Sequence, residues 1–300
     1  MSEHGSEQAV GTTSTTRTTP TTPSTGEARQ LTARRHRIPD GLASLSSGNV
    51  RAVLERGFTV IRNQNWLILV SGFFEPVFYL LAMGVGMGML VGEVEGPGGQ
   101  PITYAAYIAP ALLATSAMNG AIYDSTWNVF FKLRFAKLYQ AMLQTSLGPL
   151  DVALGEILMA LFRGFIYAVG FLGVLAAMGL VTSWWALAMV PVAVLIAFGF
   201  AALGMAITSY LKSFQQMDLI NFAMLPMFLF SATLYPISVY PEAIQWLVMA
   251  MPLWHGVELM RQLSVGHLTG MTLVHVGYFL TMTAAGLWLT TVRRRALFLR

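Results

Sequence analysis

Two ionisable residues, Glu75 and Arg163, stand inside long apolar segments of a 300-residue chain. A charge within a hydrocarbon-embedded helix is expensive and usually paired. Each lies nine residues into its segment, at roughly 13 Å depth for a 1.5 Å rise per residue, so the spacing predicts that they pair. Tyr167, or a carbonyl freed near Pro76, is the other partner available to them. A structural pair is favoured over a proton-coupling one. A second set, His255 and Glu258, has the i, i+3 spacing of one helix face, but two ligands are too few for a metal site. Glu258 with Arg261 repeats that spacing as a local ion pair.

Other chemistry is missing from the sequence. A phosphate-binding G-x-x-x-x-G-K-[ST] loop needs a lysine after glycine, and none of the three lysines follows one. There is no H-E-x-x-H, and no Ser/His/Asp or paired-carboxylate set with readable spacing. The chain is therefore not expected to hydrolyse ATP by itself. Gly84, Gly88 and Gly92 form two overlapping G-x-x-x-G steps, which let a second helix backbone approach closely, within the subunit or across a dimer.

The elements that must position these residues are membrane helices. Of all residues 55% are hydrophobic and 11% charged, against about 25% charged in soluble domains, and mean hydropathy is +0.60. No Asp, Glu, Lys or Arg lies between Glu95 and Asp124, Arg163 and Lys212, Asp218 and Glu242, or Arg261 and Arg293. About 20 apolar residues cross a bilayer, so these runs predict an all-α polytopic fold. Six spans are expected, near 66–91, 104–123, 154–180, 184–209, 219–236 and 272–292. A soluble enzyme and a nucleic-acid binder are excluded. The +4 charge marks topology, because 16 of the 18 Lys and Arg fall on one side if both termini are cytoplasmic. With no cysteine there is no disulfide and no thiolate metal site.

Outside the spans, residues 1–44 form a Thr/Ser-rich tail, with nine Thr and two Pro over 11–26, expected to stay disordered. It has no signal-peptide core. Over 49–63 the residues Val50, Val53, Leu54, Gly57, Phe58 and Ile61 keep helical spacing, predicting an amphipathic helix along the membrane surface. Phe131, Phe135, Leu138 and Met142 share one helical face in the basic loop after the second span. That loop reads either as a short helix offered to a cytoplasmic partner or as a plain positive anchor. Two short apolar pieces, 243–251 and 254–263, suit helices that dip into the outer leaflet and return, and a structured outer loop is the alternative.

The stretches FFKLRFAKLYQAMLQTSLGPLDVALGE, FLFSATLYPISVYPEAIQWL, PLWHGVELMRQL and EPVFYLLAMGVGMG resemble the ABC type-2 exporter permeases, specifically the NodJ-type lipooligosaccharide branch. The resemblance covers about residues 50–295 and makes residues 45–300 one permease domain. It implies an interfacial amphipathic helix, six spans, a cytoplasmic coupling helix and re-entrant helices before the last span. It also implies a second permease subunit in a homodimer, and two copies of a separate ATP-binding subunit that bind ATP and Mg, leaving no cofactor in this chain. The coupling helix would be Lys137, Leu138, Tyr139, Gln140, Ala141, Met142, Leu143 and Gln144, followed by Asp151 and Glu156. The outer gate would use Phe230, Tyr235, Pro236 and Tyr240, with Trp254, His255 and Glu258 shaping the re-entrant segment. The nodulation branch exports a lipid-linked chitin oligosaccharide, so the expected substrate is a lipooligosaccharide or related amphiphilic glycolipid moved outward across the cytoplasmic membrane. A drug or antibiotic efflux permease is the alternative in the same superfamily, and a membrane-embedded lipid or sugar transferase the alternative from another class. A secondary transporter would more typically show an internal repeat.

Overall fold

Each charge-free run of the sequence becomes a helix or a helix pair in the computed structural model, which describes residues 50–63, 74–134, 149–211 and 213–298. The expected tail and the coupling residues Lys137 to Gln144 lie outside the described residues. Helix α1, Val50–Asn63, comes first. Its Val53 is 2% exposed because the later helix α5, Pro149–Ala177, presents Gly155 to it. A Cβ on Gly155 would lie 2.6 Å from the Cβ of Val53. Phe58 meets Phe162 edge-on at 4.9 Å, so part of the apolar stripe of α1 packs against α5 while Phe58 itself stays exposed.

Helix α2, Phe74–Val91, widens to a π-helix over Leu80–Met87. Its three spaced glycines serve different ends. Gly84 is buried, and an added Cβ there would sit 3.3 Å from the Cβ of Ala105. Gly88 faces open space. Gly92, at φ +74° and ψ −127°, takes a positive-φ conformation open mainly to glycine and ends the helix. A hairpin follows, β1 Glu93–Glu95 with β2 Pro101–Thr103, in register Glu93↔Thr103 and Glu95↔Pro101. This two-stranded element is an addition to the all-α expectation.

Thr103 then caps α3, Tyr104–Tyr123, by accepting from the Ala106 N–H. The chain continues through a π-turn at Asp124–Asn128 into α4, Val129–Arg134. Helix α6, Met189–Thr208, follows a 3-10 turn at Trp184–Ala188. It is the central helix, packed against α3, α5 and α10, Gly270–Phe298. Backbones meet closely where side chains are small, as membrane packing requires. A Cβ on Gly286 of α10 would come within 2.6 Å of the Ala202 carbonyl carbon, and the Thr208 hydroxyl donates to the Ser125 carbonyl at 3.1 Å.

Among the described residues, five helices are long and apolar enough to cross a membrane: Phe74–Val91, Tyr104–Lys132, Leu154–Ala177, Trp184–Thr208 and Gly270–Thr290. The segment expected to span over 219–236 is shorter. Its helix α7 covers Met217–Leu229, 13 residues or about 20 Å. It ends in a turn where Ala232 adopts φ 52°. Two short helices follow, α8 Glu242–Ala250 and α9 Pro252–Val265, with boundaries close to those expected. Helix α9 buries Leu253, Val257, Leu259 and Met260 completely against the bundle.

Candidate functional site

An open cavity of about 690 Å³ lies among α2, α3, α5 and α7. Its polar lining includes Glu75, Asn119, Asp124, Arg163 and Asn221, and its aromatic lining Tyr79, Tyr123, Trp127, Tyr167 and Phe228. The π-turn after α3 carries Asp124 to the cavity, and the middle of α5 carries Arg163. There the guanidinium Nη2 of Arg163 meets Asp124 Oδ1 at 2.6 Å, with side chains 24% and 15% exposed. This corrects the pairing expected from depth alone. Glu75 and Arg163 line the same cavity, but the carboxylate bound to Arg163 is Asp124. The π-turn that brings Asp124 round is not encoded by residue spacing, and Asp124 reads in sequence only as the end of a charge-free run. The Arg163 Nε is buried and has no hydrogen-bond partner among the described residues.

At the foot of the same helices Lys132 Nζ binds Glu156 Oε2 at 2.5 Å, both side chains being largely buried. This bridge ties α4 to α5 on either side of residues 135–148. Those residues include the sequence-predicted coupling element, whose geometry lies outside the described residues.

The residues expected at the outer gate do gather. The Tyr240 hydroxyl donates to the Leu229 carbonyl at 2.8 Å, and its ring lies 5.1 Å from that of Tyr235 and 6.4 Å from that of Phe230. Burial first, and then the Tyr235 hydroxyl, push the Tyr240 phenol above its ordinary pKa. Pro236, Trp254 and Glu258 line a second cavity of about 430 Å³, shared with Glu95, Arg261 and His275.

Arg261 is the organising residue here, and sequence reasoning misplaced it. It is 3% exposed. Its Nη2 donates to the carbonyls of Ala232 at 2.5 Å and Thr233 at 3.1 Å, and its Nε donates to the Tyr107 carbonyl at 3.2 Å. Its guanidinium carbon lies 3.7 Å from the centre of the Tyr107 ring. Five rigid donors and a planar face suit that set of acceptors as no lysine could. Glu258, predicted to pair with Arg261, instead accepts from Gln262 Nε2 at 3.3 Å. The carbonyls left over by the break after α7 attract the buried guanidinium, a demand that no local spacing reveals.

His255 also acquires a partner the sequence did not indicate. Its Nδ1 lies 2.8 Å from the Nδ1 of His275, so one ring donates and the other accepts. Tyr278 stacks on His255 at 4.1 Å, and Trp254 meets both imidazoles edge-on at 5.0 and 5.3 Å. Burial first, and the His275 ring second, lower the His255 pKa to about 4.

Residues 48–265 match the family described as ABC-2 type transporter. The chain is similar to nodulation protein J of Rhizobium leguminosarum bv. viciae, 29% identical over 241 residues covering 79% of this chain and 91% of the relative. It is equally similar to nodulation protein J of Rhizobium leguminosarum bv. trifolii, 29% identical over 264 residues, 86% of this chain and 98% of the relative. Nodulation protein J of Rhizobium meliloti (strain 1021) is 28% identical over 228 residues, 75% of this chain and 83% of the relative.

Proposed function

The chain belongs to the ABC-2 type transporter family, as a membrane permease of an ABC exporter, and on that premise we propose that it moves a lipooligosaccharide or related amphiphilic glycolipid outward across the cytoplasmic membrane. The observation that carries the substrate class is the cavity of about 690 Å³ within the helix bundle, whose lining combines aromatic rings with amides and acidic and basic side chains. Aromatic faces stack on sugar rings and also tolerate acyl chains. The asparagines Asn119 and Asn221 offer donors and acceptors to hydroxyl groups.

In this reading two permease subunits form a homodimer, and each docks one ATP-binding subunit that holds the ATP and Mg. The chain sits with both termini in the cytoplasm. Residues Lys137 to Gln144 would supply the coupling element, and the Lys132–Glu156 bridge joins the described helices that flank it in sequence. Drug or antibiotic efflux is the alternative within the family. A lipid or sugar transferase would need catalytic polar groups collected at one headgroup level.

The test is to purify the chain with the ATP-binding protein encoded beside it and measure ATPase activity in lipid with candidate glycolipids and hydrophobic drugs. Stimulation by a glycolipid, lost in the Lys137→Glu, Gln140→Ala double variant while the complex stays assembled, is the expected outcome. Failure to form a complex with any ATP-binding partner would overturn the permease role, and stimulation by drugs alone would overturn the substrate.

A further inference from the structure

The charges in the cavity among α2, α3, α5 and α7 do not balance. Arg163 and Asp124 neutralise each other through their 2.6 Å pair. Glu75 lines the same space, and among the described residues no hydrogen bond or ion pair reaches its carboxylate. Glu75 is exposed at the second residue of the described span Phe74–Val91, so its carboxylate is open to a ligand, and beside hydrocarbon a lone carboxylate favours a cationic or strongly hydrogen-bonding partner. The surrounding surface adds to the same sign. The rings of Tyr79, Trp127, Tyr167 and Phe228 line the cavity, and aromatic faces carry the negative side of the ring quadrupole. A carboxylate beside several aromatic rings is complementary to an ammonium group, which gains both ion pairing and cation–π attraction. A phosphate or carboxylate head would meet Glu75 with like charge, while Arg163, the one guanidinium among the described lining residues, already holds the Asp124 carboxylate through Nη2.

We infer that this cavity receives the cationic head of an amphiphile, an amine or quaternary ammonium answered by Glu75, and that it discriminates against anionic heads. The inference rests on the exporter reading for its purpose, since it narrows the exported amphiphile to an amine-bearing one. Binding itself needs no ATP-binding subunit.

The experiment uses the full chain in neutral-lipid nanodiscs, with empty nanodiscs subtracted for partitioning into lipid. Dodecyltrimethylammonium, dodecyl maltoside and dodecyl phosphate are titrated at equal chain length, following tryptophan fluorescence, with Trp127→Phe marking the part of the signal that comes from the cavity. The ammonium head is expected to bind at least about tenfold more tightly than the phosphate, a ratio within the reach of one desolvated cation–π and ion-pair site. Glu75→Gln should erase that ratio, Glu75→Asp should keep most of it, and Glu93→Gln on the outer strand should leave it unchanged. Equal binding of the two charged heads, a preference for phosphate, or a preference that survives Glu75→Gln would overturn the inference. Should Glu75→Gln not fold, the headgroup series on the unaltered chain decides by itself. A chain that prefers ammonium but assembles with no ATP-binding partner keeps the site and loses the exporter reading. A complex stimulated by glycolipid with no ammonium preference keeps the exporter and loses the site.

Discussion

At the scale of single residues, the buried charges are held by partners that arrive from other helices. Arg163 and Asp124 form one such unit, so removing either leaves a charge in a low-dielectric setting. Arg163→Ala should destabilise the protein by about 3–5 kcal/mol, while the exchange Asp124→Arg with Arg163→Asp should recover much of the loss. Thermal unfolding in detergent would read both, and no recovery in the exchange would count against the pair. Arg261 holds three carbonyls, those of Tyr107, Ala232 and Thr233. Arg261→Lys keeps the charge but not the fork, and should lower stability by about 2–3 kcal/mol through acceptors left without donors. For His255 the folded pKa, about 4, lies below its ordinary value of about 6.5. A base whose folded pKa is lowered binds fewer protons folded than unfolded, so its stabilisation is complete above the unfolded value and is lost as pH falls from there toward 4. The unfolding temperature should therefore drop between pH 7 and pH 4.5, and the slope should be shallower in His255→Gln. An unchanged slope would remove His255 from the account.

At the scale of elements, close approach decides which helices stay together. The α1–α5 contact depends on Gly155, since a Cβ there would lie 2.6 Å from Val53. Gly155→Leu should detach α1 from α5 while the α6–α10 contact at Gly286 stays intact. Limited proteolysis within 50–63 would increase, and cleavage elsewhere would not. The break after α7 is an element in its own right. Its hydroxyls fold back, Tyr240 to Leu229 eleven residues earlier and Thr233 to Phe228 at 3.1 Å, so carbonyls released by the helix end are answered from the segment that follows it, with Arg261 closing the set. The widened turn at Asp124–Asn128 likewise shapes the cavity, because it brings Asp124 into the lining.

At the scale of the whole molecule, the described bundle has one end marked by the β1–β2 hairpin and the other by the Lys132–Glu156 bridge. The proposed orientation places the hairpin outside and the bridge at the cytoplasmic face. Because the chain has no cysteine, single cysteines report sidedness without background. Gln100→Cys in the hairpin loop should react with an impermeant maleimide added to whole cells, and Ser213→Cys should react only after the membrane is opened. The reverse pattern would invert the topology and with it the placing of Lys137 to Gln144 against an ATP-binding subunit.

Much of this was legible in the sequence, and for a physical reason. Hydrocarbon tolerates only helices with internally satisfied backbones and few charges, so the charge-free runs marked α3, α5, α6 and α10 to within a few residues. The i, i+3, i+4 spacing over Val50–Ile61 likewise marked α1, and prolines and glycines marked the short helices before the last span. The partners of Glu258, His255, Arg163 and Arg261 were another matter. Spacing along one helix suggested Glu258 for Arg261, and depth suggested Glu75 for Arg163. Yet a buried charge binds whatever acceptor the packing brings within hydrogen-bond reach, and rotation about a helix axis is set by which small residues let two backbones meet. The π-turn at Asp124, the positive φ of Ala232 and the meeting of His255 with His275 are therefore products of the assembled bundle. Only the tertiary structure left Glu75 as a carboxylate without a described partner in a cavity lined by aromatic rings.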